Sequence, residues 1–147
     1  MPTYPVFYLV NDRPVMLVLT SEGGLDARVF DWKCGAFLSD RSYFEKVSDV
    51  GVGKDVDSLP EPQFVAYVAE LRRPIIQRLV DTSLVWMPTG DGDYPYRSSV
   101  EGRKLTIRVN DFPAEPLYTL IAEGDEISDL EDWPVAWHKP LLRNNAT

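Results

Sequence analysis

One stretch of the chain is periodic enough to limit the folds open to it. Phe64, Val68, Leu71, Ile75 and Leu79 follow one another at spacings of four, three, four and four. That spacing places all five on one face of a helix, because a 3.6-residue turn brings such positions into register. The expected start is near Ser58, where Ser58 and Glu61 form an S-x-x-E capping box and Pro60 falls in the first turn, where its missing N–H costs nothing. Pro74 lies inside the stripe. A proline there removes one helical hydrogen bond and crowds the preceding turn, so a kink, or two helices meeting near Arg72-Arg73-Pro74, is expected.

The flanks have a different period. Val6 to Val10 and Val15 to Leu19 are unbroken apolar runs separated by Asn11-Asp12-Arg13-Pro14, a pattern for strands covered on both faces. Pro5 suits an edge or the first position of a strand. After the Glu22-Gly23-Gly24 turn, Arg28 to Lys33 alternates and predicts a third strand. Ser42 to Val47 fits either a strand or one helical turn, and Gly51, Gly53 and the acids after them, Asp55 and Asp57, fit a surface loop. Beyond the helix, Leu84 to Met87 is a short apolar strand and residues 89–93 a loop. Glu101-Gly102 turns into a strand over Lys104 to Val109, with Leu105, Ile107 and Val109 inward and Lys104, Thr106 and Arg108 outward. Leu117 to Ala122 is a further strand, which Glu123-Gly124-Asp125 turns toward Glu126 to Ser128. The sum is an α+β fold: a single domain over residues 1–147, largely antiparallel sheet packed against one principal helix, kinked or broken at Pro74.

Composition narrows the function classes. The net charge of −8 opposes a nucleic-acid partner, which calls for a basic face. No apolar run approaches the roughly 20 residues of a membrane span, and the N-terminus lacks the basic region and cleavage site of a secretory leader, so a cytoplasmic protein is expected. The single cysteine, Cys34, sits among apolar and aromatic residues and reads as a buried small hydrophobe.

Motifs for cofactor or metal chemistry fail on inspection. GVGKD at 51–55 lacks the glycine that a phosphate loop needs at position 48 and carries Asp55 where a hydroxyl should hold magnesium. DGDY at 91–94 puts Pro95, Tyr96 and Gly102 at calcium-loop positions five, six and twelve, which need an oxygen ligand, a glycine and a glutamate. One Cys and one His cannot build a Cys/His zinc site. His138 lies six residues after Asp132 but has no evident nucleophile. No catalytic, cofactor-binding or metal residues are assigned.

Charge distribution is the feature that remains. Eight acids lie between Val109 and His138 (Asp111, Glu115, Glu123, Asp125, Glu126, Asp129, Glu131 and Asp132), and that interval holds no Lys or Arg. A one-sign surface steers an oppositely charged partner. Phe112, Tyr118, Trp133 and Trp137 lie in or beside the same segment, and aromatic anchors rimmed by carboxylates suit a protein interface. The plainer alternative is that the acids serve solubility and that Trp133 and Trp137, four apart, are core contacts on a short helix.

The C-terminal third, RVNDFPAEPLYTLIAEGDEISDLEDWPVAWHKP, resembles the immunity proteins of bacterial polymorphic toxin systems, including contact-dependent inhibition and Rhs-type effectors. The likeness is carried over residues 104–140 by a hairpin with an EGDE turn, an acidic stretch and a Trp-Pro-x-x-Trp close. The helix segment VAELRRP adds to it. The resemblance implies a small cytosolic α+β protein that binds one cognate toxin domain, often a basic nuclease, and blocks it by steric occlusion without turnover. On this reading the contact residues are Asp125, Glu126, Asp129, Glu131 and Asp132, with Trp133 or Trp137 as anchor. The alternative is a small-ligand-binding protein or small enzyme with a pocket of carboxylates and aromatics. A third option is a subunit of a larger assembly.

Overall fold

The computed structural model describes residues 3–48 and 55–139. The GVGK stretch therefore lies outside the described residues. The fold is α+β, and the described residues form ten strands in two antiparallel five-stranded sheets, one long helix and one short helix. The chain groups into two compact units, Met1–Trp32 with Phe37–Arg73, and Lys33–Ala36 with Pro74–Thr147. The strands expected to share one sheet are thus divided between two.

In the first unit the strands are β1 (Val6–Val10), β2 (Arg13–Leu19), β3 (Leu25–Phe30), β4 (Phe37–Ser39) and β5 (Val56–Leu59), ordered β4-β3-β2-β1-β5. Asn11 and Asp12 join β1 to β2 with φ of 50° and 68°, the left-handed pair that a tight two-residue hairpin needs and that Asn and Asp tolerate. The β1 and β2 runs are covered on both faces, as their unbroken apolar character requires. One face carries Val10, Val15, Leu17, Ala27 and Val29 in a buried cluster with Val47 of the short helix α1 (Tyr43–Ser48). On the other, Phe64 of the long helix α2 (Glu61–Asp81) meets Phe7 and Phe37, with ring centroids 4.7 and 5.8 Å away.

Two expectations about the helix need correction. Ser58 does not cap it: Ser58 lies in β5, paired with Tyr8 of β1, and the helix starts at Glu61. The Pro60 carbonyl accepts the first bond, from Phe64 N at 3.0 Å. Strand pairing to a segment some fifty residues away outweighed a local capping pattern. Of the kink or break expected at Pro74, the break is ruled out. α2 continues through it to Asp81, and the boundary between the units falls at this residue. The expected apolar stripe is in place, with Phe64, Val68, Ile75 and Leu79 buried and Leu71 partly so.

The second unit has β6 (Met87–Pro88), β7 (Tyr96–Val100), β8 (Arg103–Val109), β9 (Tyr118–Ala122) and β10 (Asp125–Leu130), ordered β10-β9-β8-β7-β6. Its hairpins turn at Glu101-Gly102 and Glu123-Gly124, again with positive φ at both positions. The inner face buries Leu105, Ile107, Tyr118, Leu120 and Ile127. Val109, expected inward, is exposed at the end of β8. Three of the four tryptophans complete this core: Trp86, fully buried, lies 4.9 Å from Trp137 and 5.9 Å from Trp133 between ring centroids. The Trp137 indole N–H donates to the Leu79 carbonyl at 2.8 Å, satisfying one of the last-turn carbonyls that a helix leaves open. Cys34 is fully buried, as its neighbours implied.

Two predictions follow from these contacts. Replacing Trp137 by Phe keeps most of the apolar ring but orphans the Leu79 carbonyl, and should cost about 1–3 kcal/mol in denaturant unfolding. Trp137→Ala also opens a cavity and should cost about 3–5 kcal/mol. A Trp137→Phe variant as stable as the parent would show that the hydrogen bond contributes nothing. In the first unit the Tyr67 hydroxyl donates to the Asp12 carbonyl at 2.7 Å, and burial, with a smaller contribution from the Asp12 charge, raises its pKa above the usual 10.0. The folded state therefore holds this proton more tightly than the unfolded chain. The stability it adds is fully present below the unfolded phenol value and is lost as pH rises through the folded one. Ultraviolet titration should show one late-ionising tyrosine that disappears in Tyr67→Phe.

Candidate functional site: the acidic edge of the second sheet

The acids singled out from the sequence gather along β10, an edge strand, and the bend after it. Asp125, Glu126 and Asp129 lie in β10, and Glu131 and Asp132 follow as exposed residues. Glu126 and Asp129 are three apart, so a regular strand would point them to opposite faces. The register shifts between Glu126 and Ser128, and this bulge returns both carboxylates to the outer face, where each meets the same polar group. Bulges at sheet edges re-aim side chains in this way.

That group centres on Thr119, which is only 1% exposed. Its hydroxyl donates to Asp129 Oδ1 at 2.9 Å and accepts from Asn110 Nδ2 at 2.8 Å and Arg108 Nη2 at 3.2 Å. One donation and two acceptances exhaust what a hydroxyl can do. Arg108 Nη1 reaches Glu126 Oε2 at 2.7 Å, and its Nε donates to Asn110 Oδ1 at 2.9 Å. The hydrogen bond to Glu126 is the main cause of the upward shift of the Arg108 pKa, with burial working against it. Beside this network is a hollow of about 160 Å³ lined by Thr119, Glu126, Ile127, Ser128 and Asp129. Two carboxylates face a single guanidinium here, which leaves a local excess of one negative charge. A hollow of this size suits a cationic side-chain head group.

The aromatic candidates are placed differently. Trp137 is 4% exposed, so its ring is a core element and offers no surface to a partner. Trp133 is half-buried: it contacts Tyr96, Tyr118, Trp86 and Trp137, and its Nε1 donates to the Trp137 carbonyl at 3.2 Å. Lys139 Nζ stands over its ring at 5.1 Å. The Trp133-Pro134 start is a tight turn rather than a helix, closed by Trp137 N donating to the Pro134 carbonyl at 3.1 Å. Of the two expected anchors, only Trp133 is partly accessible.

Searches of family models, of curated proteins and of solved structures found no match.

His138 acquires a partner that the sequence did not suggest. Its Nε2 lies 2.9 Å from Ser83 Oγ, both residues being exposed. Among the described residues no carboxylate bonds the other ring nitrogen, so the orienting third group of a catalytic triad is not in place. Among the described residues no group of three or more His, Cys, Asp or Glu is placed to hold a metal ion, and no helix is long and apolar enough to cross a membrane. Asp91, from the rejected calcium pattern, uses Oδ1 to accept from Asp93 N and Tyr94 N, the local turn chemistry typical of Asp.

What sequence reading missed is the Arg108–Asn110–Thr119 support. Arg108 had been placed on the outer face by its alternation, but nothing local marks Thr119 as the shared acceptor. Removing that acceptor by Thr119→Val should strand two donors and cost about 1–3 kcal/mol in equilibrium unfolding. Thr119→Ser, which keeps the hydroxyl, should stay close to the parent. A harmless Val would mean that the network adds no stability.

Proposed function

We propose that this protein is a stoichiometric inhibitor, an immunity protein that binds and occludes a basic toxin domain through the acidic edge of its second sheet. The observation that carries the reading is the bulged end of β10, where Glu126 and Asp129 line a hollow sized for a cationic head group. Glu131 and Asp132 extend the same charge beyond the strand. The segment from 110 to 137 has no Lys or Arg of its own, and Arg108 offsets only one of the two carboxylates at the hollow. The resemblance of residues 104–140 to immunity proteins points the same way, and inhibition by occlusion needs no catalytic group. Carboxylates on an edge strand also discourage strand addition by other chains, a structural service compatible with contact.

Binding is expected at 1:1, with Asp125, Glu126, Asp129, Glu131 and Asp132 facing Lys and Arg side chains and the partly accessible Trp133 at the margin. Trp137 holds this surface in shape from below. The partner to try is the C-terminal domain of a toxin encoded immediately upstream. Reversing Glu131 and Asp132 to Lys, two exposed positions, should slow association by about tenfold or more at low salt, because long-range charge acts mainly on the encounter rate. Added salt should slow the parent and leave the double variant nearly unaffected. An unchanged association rate would refute this surface.

A further inference from the structure

The outer face of the second sheet carries a second feature, at the opposite side from the acids. A groove of about 640 Å³ opens along the β7–β8 hairpin and the segment 83–87, within the size range of small-molecule sites. Two of its lining residues are cations, Arg97 and Lys104, and none is an Asp or Glu. In a chain of net charge −8 this is a local reversal of sign.

The register explains how the cations come together. Arg97 pairs with Thr106 and Ser99 with Lys104 across the hairpin, so these four side chains share one face and the two cations are diagonal neighbours. Such neighbours are about 7–8 Å apart and repel when alike. Among the described residues neither cation has an ion pair or a side-chain hydrogen bond. The hydroxyls of Ser83, Ser99 and Thr106 border the groove, while Val85 and Met87, both more than half or half exposed at 61% and 50%, supply an apolar wall.

We infer that this groove binds a small anion: a phosphate or carboxylate group held between Arg97 and Lys104, with an apolar portion lying on Val85 and Met87. Guanidinium and ammonium groups make charge-assisted hydrogen bonds to such oxyanions, and the hydroxyls complete the polar shell. The bound anion relieves the repulsion between the two cations. Exposed apolar side chains at one end of a cationic groove favour an amphiphilic ligand over a bare ion. The site is independent of the acidic edge, which belongs to β10.

The test is a titration of phenyl phosphate, and separately of benzoate, into the isotopically labelled full chain, followed by amide chemical shifts. Saturable shifts are expected at residues 83–87 and 97–106, with phenol, the neutral control, producing none. A phosphate-specific or carboxylate-specific site will show in which of the two anions saturates. Arg97→Gln with Lys104→Gln should weaken binding by about tenfold or more, and Ser99→Glu, which places a carboxylate in the groove, should abolish it. Either variant decides the matter if the other loses its dispersed spectrum. Glu131→Lys with Asp132→Lys should leave this binding intact, which separates it from the proposed toxin contact. Shifts that fail to saturate, or that are equal in the parent and the variants, would overturn the inference.

Discussion

The second unit depends on the 2.8 Å hydrogen bond from the Trp137 indole to the Leu79 carbonyl. It joins the end of α2 to a segment 58 residues later in the chain, and it places a large ring against the fully buried Trp86. The same segment is held by backbone bonds, with His138 N donating to the Leu84 carbonyl and Trp86 N to the His138 carbonyl. Burial of the rings contributes most of the free energy, while the hydrogen bonds determine where they sit. With the inner face filled in this way, the outer face carries most of the polar side chains, alongside a few apolar ones such as Ile121 and Met87.

That outer face is divided by charge. Glu126 and Asp129 stand at the β10 edge, Arg108 and Thr119 in the middle, and Lys104 and Arg97 toward β7. The fully used Thr119 hydroxyl acts as the joint between the acidic side and its single arginine. A strongly acidic protein can therefore present surfaces of both signs, because strand order sets β9 between the acids of β10 and Lys104 of β8, with Arg97 one strand further on in β7. An acidic edge can steer a cationic protein without closing the groove to a small anion.

Much of the architecture was readable locally. The helix stripe from Phe64 to Leu79, the inward Leu105 and Ile107, and the Glu123-Gly124 turn are each encoded by neighbours within a few residues. Ser58 shows the limit of that approach: a sound capping pattern gave way to pairing with Tyr8 of β1. Tyr96–Val100 went unread as a strand because YRSSV contains too few apolar residues to signal one. It exists through its pairing with β8. The acids of the candidate site were legible as a cation-free run, but the support beneath them was not.

The sequence alone determined the α+β class, the turns, the apolar faces and the acidic character of residues 111–132, because these depend on local period, turn chemistry and composition. Only the tertiary structure decided that the strands form two sheets, that α2 passes through Pro74, and that Trp137 is core while Trp133 stays partly accessible. The β10 bulge belongs with these, since it brings Glu126 and Asp129 to a common face. The reason is the same in each case: the competing local arrangements are close in energy, and contacts between residues distant in the chain select among them.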